Sequence, residues 1–321
     1  LVILSTSRNN SLPASLEIKT YLENHNKLCF LLVGDENHIA NMIKHIATII
    51  NAYNSVKDNR LGLIGNPSSW LIASPVEPKM FYQNFKQNIV KIKMKELEEL
   101  IEQEEKEMLD INVVPHAKEF IKKAESRDDL QFSLVIYNAL KKLMAKYQLN
   151  GLTIRCFDLV KKYKQTACLA LAMLNEEGIT SGCEGDVPSL ITMHIVNSLT
   201  NRSSFMANPS KFNYEDNSIM LAHCTVPLNM VTSYKLMTHF ESGLGIGVKG
   251  ELPEGRITLC KIAPDYSLEN TLCIPANLKE NLSLEGYCRT QISVALGEEG
   301  LLEILKASFG NHIIVSYGDV Y

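Results

Sequence analysis

The sequence has no apolar run near the roughly 20 residues that a transmembrane helix needs. It also lacks a strong excess of one charge: the formal net charge of −4 gives no general attraction to phosphate backbones or anionic membranes. No serine, histidine and acid set stands out, and the glycine fingerprint of a dinucleotide site is missing. We therefore expect no nucleic acid, no membrane and no dinucleotide as a partner.

The eight cysteines lack any C-x-x-C spacing and lie mostly in apolar stretches. Such spacing is a usual sign of zinc sites and of redox-active pairs. Buried thiols in a reducing compartment are therefore favoured over disulfides or zinc. This interpretation predicts a cytoplasmic protein.

The first part of the chain alternates strand and helix patterns. Residues 27–34 form a continuous apolar run, as expected of a parallel strand buried on both faces, and residues 35–52 carry apolar side chains at helical spacing. We assign residues 1–58 to an N-terminal α/β domain. Because residue 1 already lies in an apolar, strand-like run, we expect this domain to be truncated.

Alternating strands and helices continue to about residue 200, which predicts a second parallel-sheet domain over residues 59–200. Beyond it, short strand-like stretches, among them residues 268–274, are separated by Gly, Pro and Asn. We therefore assign residues 201–321 to a mainly antiparallel β domain that completes the active site. The predicted fold class is α/β: two Rossmann-like parallel-sheet units, the first truncated, followed by this β-rich domain.

Three polar residues stand at element ends around the junction of the last two domains. Glu184 precedes an apolar helix, Asn208 follows Phe-Met-Ala, and His223 follows Leu-Ala in an apolar stretch. Their small and turn-forming neighbours keep a site open. Carboxylate and imidazole donors suit Mn²⁺ or Mg²⁺ better than soft metals. The pattern indicates a cation-binding active site.

Each of these residues also has a structural alternative. Glu184 can stabilise the N-terminus of the helix that follows, and Asp186, just before Val-Pro188, is well placed as the N-cap itself. His223 can be a satisfied core histidine, and His312, which follows Gly-Asn at a strand start, can be a turn histidine. The local pattern leaves both interpretations open.

Four motifs in order carry a family resemblance: Cys183-Glu-Gly-Asp186, Phe205-Met-Ala-Asn208, Leu221-Ala-His223 and Gly310-Asn-His312. Together they resemble the L-fucose isomerase and L-arabinose isomerase superfamily. The resemblance covers most of the chain and is strongest from about residue 151 onward. It implies a ketol isomerase that interconverts an aldose and a ketose through an enediolate. It also implies a divalent cation between the middle and last domains, with Mn²⁺ favoured and Mg²⁺ or Co²⁺ as alternatives.

The resemblance gives roles to particular residues of the site. The implied metal ligands are Glu184, His223 and His312, and the catalytic candidates are Glu184, Asp186 and Asn208. Where the superfamily carries a second carboxylate, this chain has Asn208, whose amide cannot accept the proton that an isomerase must move. Three outcomes stay open: Glu184 alone shuttles the proton, Asp186 or Asp216 takes over, or isomerase activity is lost.

Three further residues are candidates for substrate binding. Arg155 and Arg289 can hold sugar hydroxyls or an anionic group, although structural pairing explains them equally well. His239 lies in a Thr-His-Phe-Glu-Ser-Gly segment that resembles a superfamily segment near the site.

The favoured function is a metal-dependent sugar isomerase, with a non-catalytic carbohydrate-binding or regulatory relative on the same scaffold as the alternative. The resemblance implies a homo-oligomer, and a hexamer is the commonest form. The partner that we expect is a small-molecule sugar.

Overall fold

A computed structural model of the chain describes residues 1–74, 78–107, 111, 114–266, 270–307, 309–318 and 320. It divides into two compact units, Leu1–Ser55 and Val56–Tyr321. The division into three domains, with boundaries near residues 58 and 200, stays a prediction. None of the helices in the described ranges combines the length and the apolar character that crossing a membrane requires.

The first unit is a small α/β arrangement. Its two strands, β1 (Val2–Ser5) and β2 (Phe30–Val33), pair in parallel, and the helix α1 (Ser11–Asn24) connects them. The helix α2 (Glu36–Val56) follows. The alternation of strand and helix predicted from the apolar runs is confirmed here.

A four-stranded parallel sheet begins the second unit, in the order β4-β3-β5-β6. Its strands are β3 (Arg60–Ile64), β4 (Asn88–Ile92), β5 (Gly151–Ile154) and β6 (Thr180–Gly182). The central strands are buried on both faces, which explains why their sequences are continuously apolar. The helices of this part are α3 (Pro78–Phe85), α4 (Met94–Glu107), α5 (Ala117–Lys123), α6 (Arg127–Tyr147), α7 (Cys156–Tyr163), α8 (Cys168–Glu176) and α9 (Val187–Thr200).

The rest of the chain forms a closed antiparallel barrel and one hairpin. The barrel strands are β7 (Phe205–Asn213), β8 (Ser218–His223), β11 (Gly255–Lys261), β12 (Leu272–Asn281), β13 (Thr290–Ala295) and β14 (Ile313–Ser316), in the order β11-β12-β13-β8-β7-β14. The hairpin pairs β9 (Ser233–Met237) with β10 (Gly247–Glu251), and α10 (Gly297–Lys306) precedes β14. The start of the predicted strand at 268–274 lies outside the described residues.

The predicted fold class is confirmed: parallel α/β units are followed by an antiparallel, barrel-like β part. The helix α9 packs against both β5 of the parallel sheet and β11 and β14 of the barrel. Its apolar residues Val187, Leu190 and Ile191 share a buried cluster with Leu61 of β3. The N-terminus of α9 is therefore fixed where the sheet meets the barrel.

Candidate active site

Glu184 lies in a tight turn between β6 and α9. Its backbone has φ 62°, in the left-handed region that residues other than glycine rarely adopt, and Gly185 follows with φ 69°. A Cβ at Gly185 would lie 2.8 Å from the Asn66 carbonyl oxygen, so this position requires glycine. Backbone strain of this kind concentrates at functional sites, because only a well-packed surround maintains it.

Three neighbouring barrel strands bring the other polar residues to the same rim. His223 ends β8, and Asn208 on β7 pairs with Ala222 beside it. His312 comes immediately before β14, whose first residue, Ile313, pairs with β7. Adjacent antiparallel strands thus place residues from positions 208, 223 and 312 close together.

Glu184, His223 and His312 offer ligand atoms that all lie within 4.8 Å of one another. Metal–ligand bonds of about 2.1 Å allow ligand atoms to stand up to about 4.2 Å apart, so small side-chain adjustments complete a site. One carboxylate oxygen and two imidazole nitrogens form the mixed donor set of many divalent-cation centres. The residues present therefore fit the cation that the resemblance implies.

Hydrogen bonds orient both imidazoles. His312 Nδ1 lies 2.7 Å from Asp186 Oδ2, while its Nε2 lies 3.7 Å from Glu184 Oε1. His223 Nδ1 lies 2.9 Å from Thr225 Oγ1. A proton on each Nδ1 satisfies these contacts and leaves both Nε2 lone pairs free for a cation, the usual arrangement of ligating histidines.

The protonation of these three groups is shifted by their surroundings. Burial lowers the pKa of His223 to about 3, so this imidazole is neutral at pH 7. Burial also opposes charge on His312, but hydrogen bonds to Asp186 and Glu184 raise its pKa above the usual value. Burial by itself raises the pKa of Glu184, yet hydrogen bonding and charge from His312 bring it below the usual range. Glu184 is therefore ionised and His223 is uncharged, as metal ligation requires, whereas a cation would displace the second proton that the two carboxylates favour on His312.

His312 belongs to a cluster of fully buried polar side chains. We call it the interior network, and its members are Asp186, Ser189, Lys261 and His312. Lys261 Nζ lies 3.4 Å from Asp186 Oδ2 and donates a hydrogen bond to Ser189 Oγ. Burial raises the pKa of Asp186, but Lys261 and His312 outweigh burial and hold it well below its usual range.

Asp186 also caps the helix α9. Its Oδ1 accepts a hydrogen bond of 2.9 Å from the Ser189 backbone N–H, and Pro188 lies in the first turn. The sequence-based assignment of Asp186 as the N-cap is confirmed. With its carboxylate bonded to Ser189, His312 and Lys261, Asp186 orients the His312 imidazole, and its catalytic part stays a prediction.

A cavity of about 330 Å³ borders Glu184. We call its lining the cavity wall, which consists of Trp70, Phe157, Glu184, Asn208, Glu241 and Asn311. Its volume falls within the range of about 300–1,000 Å³ typical of small-molecule sites. Three larger cavities, of about 590, 550 and 360 Å³, have none of the triad in their lining.

Aromatic rings form one side of the cavity wall. Trp70 and Phe157 meet edge to face with ring centroids 5.1 Å apart, and Trp70 Nε1 donates a 2.6 Å hydrogen bond to Glu184 Oε2. The Ser68 backbone N–H also donates to the Glu184 carbonyl oxygen at 2.8 Å. The loop that carries Trp70 is thus tied to the turn that carries Glu184.

Two amide side chains, those of Asn208 and Asn311, also line the cavity. Asn208 Nδ2 donates to Asn311 Oδ1 at 3.3 Å, and Asn311 Nδ2 donates to Glu184 Oε2 at 3.2 Å. Asn208 therefore lies in the cavity wall near Glu184, and its catalytic part stays a prediction. In this arrangement it helps to orient Glu184 through Asn311.

The predicted substrate-binding residues lie around the cavity wall and not in it. Arg289 donates from Nε and one terminal nitrogen to Thr238 O and Oγ1, at 2.6 and 3.0 Å. Its guanidinium thus anchors the loop after β9. Arg155 comes two residues before the wall residue Phe157, and its Nε lies 3.4 Å from Asp158 Oδ1. Binding of substrate by these arginines stays a prediction.

His239 lies in the loop that Arg289 anchors. Its Nδ1 is 3.0 Å from Ser242 Oγ, and its ring is edge to face with Phe157 at 6.0 Å. Burial and the nearby Arg289 lower its pKa, so His239 is a neutral imidazole behind the aromatic side of the cavity.

Sequence reasoning missed four residues of this region: Trp70, Phe157, Glu241 and Lys261. Two of them carried a usable signal. Trp70 is the only tryptophan of the chain and stands in a turn after a parallel strand, where ligand sites occur. Lys261 is the single charged residue near the end of an apolar strand, which indicates a buried partner.

Comparison with curated proteins identifies distant relatives. The sulfoquinovose isomerase of Priestia aryabhattai is 23% identical over 337 aligned positions, which cover 98% of this chain and 72% of the relative. The sulfoquinovose isomerase of Priestia megaterium gives the same figures. That of Clostridium sp. is 26% identical over 196 positions, which cover 58% of this chain and 43% of the relative.

No protein-family model matches the chain. The relatives are nevertheless sugar isomerases by name, and two of the alignments span nearly the whole chain. The chain is therefore related to sugar isomerases, with a candidate cation triad at the junction of its parallel sheet and barrel.

Proposed function

We propose that this protein is a metal-dependent aldose–ketose isomerase that acts on a sulfonated sugar through an enediolate. The observation that carries the proposal is the convergence of Glu184, His223 and His312 beside an open cavity. The relationship to sulfoquinovose isomerases supports the same chemistry. It makes sulfoquinovose, a hexose with an anionic sulfonate, the first substrate to test.

The same three residues would hold the cation, which we propose to be Mn²⁺, with Mg²⁺ or Co²⁺ as alternatives. When bound, such a cation polarises a carbonyl and stabilises the negative charge that develops beside it, an effect of several kcal/mol on the barrier. Asp186 and Thr225 would accept the Nδ1 protons of His312 and His223, which leaves the Nε2 atoms of both histidines to bind the cation.

The remaining wall residues would bind the open-chain sugar. The rings of Trp70 and Phe157 offer an apolar surface for its C–H groups, and the amides of Asn208 and Asn311 offer donors and acceptors for its hydroxyls. Arg155, two residues from Phe157, is our candidate for the sulfonate, because a guanidinium matches an anionic oxygen cluster.

We also propose membership of the L-fucose isomerase and L-arabinose isomerase superfamily, on the order of motifs around residues 184, 208, 223 and 312. A cytoplasmic homo-oligomer, commonly a hexamer, follows as a prediction from that resemblance. Size-exclusion chromatography with light scattering measures the oligomeric state directly.

Isomerisation in D₂O tests the proposed function. The protein is stripped with EDTA and given sulfoquinovose with and without Mn²⁺, and proton NMR follows the ketose and deuterium at the exchanged carbon. We expect turnover with Mn²⁺ and none after EDTA. Glucose and glucose 6-phosphate serve as neutral and differently charged controls. Absence of product and exchange with every sugar, with Mn²⁺, Mg²⁺ and Co²⁺ alike, would end the proposal.

A non-catalytic sugar-binding relative is the second candidate, and the amide at Asn208 favours it because a carboxylate is missing there. The two candidates differ in a simple way. Calorimetric sugar binding without any deuterium exchange supports the binding protein, whereas exchange supports the isomerase.

A further inference from the structure

We infer that Glu241 is the second carboxylate of the site and carries the substrate proton that Asn208 cannot carry. The inference rests on the proposed isomerase function and deepens it. Glu241 lies in the cavity wall together with Glu184 and Asn208, so both carboxylates and the amide face the same 330 Å³ space.

The other acids near Asn208 are already engaged. Asp186 is fully buried and bonded to Ser189, Lys261 and His312, and it does not line the cavity. Asp216 pairs with Lys279 at 2.6 Å and precedes β8 at the end opposite His223. The five residue steps from Ser218 to His223 alone span roughly 17 Å at about 3.3 Å per residue. Neither aspartate reaches a substrate in this cavity.

Glu184 is a poor proton carrier for a different reason. Its Oε2 accepts hydrogen bonds from Trp70 and Asn311, and its Oε1 faces His312. These contacts engage both carboxylate oxygens, and a carboxylate that holds a cation is a weak base. Glu184 is suited to hold a cation, which leaves the proton transfer to another group.

Glu241 has the opposite properties. Across the described residues its carboxylate makes no hydrogen bond and no ion pair, and the side chain is exposed to the cavity. Partial burial raises the pKa of Glu241 above its usual value. A carboxylate with a raised pKa accepts and returns protons more readily near neutral pH.

The loop that carries Glu241 is held in place by the barrel. Arg289 anchors Thr238, and the His239 N–H donates to Leu244 O at 3.1 Å while the Gly243 N–H donates to His239 O at 2.9 Å. Gly245, with φ 55°, packs so closely that a Cβ would lie 2.7 Å from Thr166 N. These contacts fix the backbone on both sides of Glu241 and so keep this residue in the lining of the cavity.

The proton step balances without another reactant. Glu241 removes the C2 proton of the open-chain aldose, the C–H electron pair becomes the C1–C2 double bond, and the carbonyl pair moves to O1. The protonated Glu241 then returns the proton to C1 as the hydroxyl proton of O2 passes to O1. The product ketose has the same composition as the aldose, and Glu241 regains its negative charge.

The test compares Glu241→Gln with the exposed control Glu285→Gln, in the Mn²⁺-loaded protein. We expect Glu241→Gln to lower kcat and the C2 deuterium exchange rate by at least about 10²-fold, the usual range for a lost acid–base group. Mn²⁺ affinity and Tm should stay close to those of the wild-type protein. Asn208→Asp in the Glu241→Gln background should recover kcat by about tenfold or more, since it supplies a carboxylate to the same cavity.

Two results overturn the inference and leave the proposed function standing. In the first, Glu241→Gln keeps a kcat within about threefold of the wild-type enzyme, as Glu285→Gln should. In the second, Glu241→Gln loses Mn²⁺ affinity together with kcat, which makes Glu241 a ligand and not a proton carrier. A wild-type protein without any turnover on the aldose panel instead removes the isomerase function itself, and the inference falls with it.

Discussion

Glu184 separates two regions of contrasting chemistry. Behind it, Asp186, Lys261 and His312 are fully buried and bonded to one another. In front of it, Trp70 and Glu241 are exposed to a cavity. The charged side chains of the interior network are held by contacts with one another, whereas the side chains of the cavity wall are accessible to a sugar. We propose a division of labour: the interior network orients His312 for the cation, and the wall residues other than Glu184 serve recognition and proton transfer.

The interior network is costly to build. Removing two opposite charges from water costs several kcal/mol for each ion, and only good geometry offsets that cost. Such a network is expected where a function requires a fixed orientation, here of the His312 imidazole. The cavity wall carries less of this cost, because the Glu241 carboxylate stays in contact with solvent.

The largest expected effect is in the interior network. Asp186→Asn leaves Lys261 buried without a counter-charge and should lower the free energy of unfolding by about 3–5 kcal/mol. It should also weaken Mn²⁺ binding by about 10–100-fold, because His312 loses the charged acceptor of its Nδ1 proton. Chemical denaturation and Mn²⁺ titration measure the two effects.

Two variants serve as controls for Asp186→Asn. Adding Lys261→Met should recover much of the lost stability, since it removes the unpaired charge, but should not restore Mn²⁺ affinity. Asp216→Asn breaks an ion pair at the surface and should change stability far less. Equal losses from Asp186→Asn and Asp216→Asn would contradict the contrast between the two regions.

A smaller effect is expected in the cavity wall. Trp70→Phe keeps an aromatic ring but removes the Nε1 hydrogen bond to the Glu184 carboxylate. A hydrogen bond to a charged group contributes at most about 1.5–3 kcal/mol to stability, so the free energy of unfolding should fall by less than for Asp186→Asn. The kcat/KM should fall by about tenfold or more, because Glu184 is less well oriented. Tyr214→Phe, at an exposed aromatic residue outside the cavity wall, is the matched control. A loss of stability as large as that of Asp186→Asn would place Trp70 with the interior instead.

The same contrast explains what the sequence predicts and what it does not. Periodicity and turn residues locate element ends, and Glu184, His223 and His312 all lie at such ends, which is why local motifs find them. The cap at Asp186 was equally predictable, because Pro188 follows within two residues. These features depend on short stretches of chain.

The remaining contacts depend on tertiary packing. Lys261 meets Asp186 across 75 positions and Trp70 meets Glu184 across 114, and no local pattern reports which distant loops meet. Glu241 lies two residues from His239, a residue that the sequence did single out, but only the closed barrel shows that its carboxylate lines the cavity. Element ends are therefore readable from sequence, whereas the pairing of loops at the site is not.

Titration of the protein with Mn²⁺, followed by electron paramagnetic resonance of the free ion, tests the central claim most directly. The division of labour predicts saturable binding of one ion per chain that Glu184→Gln abolishes and Glu241→Gln leaves intact. Binding that Glu184→Gln does not alter, or no saturable binding to the wild-type protein, would contradict it.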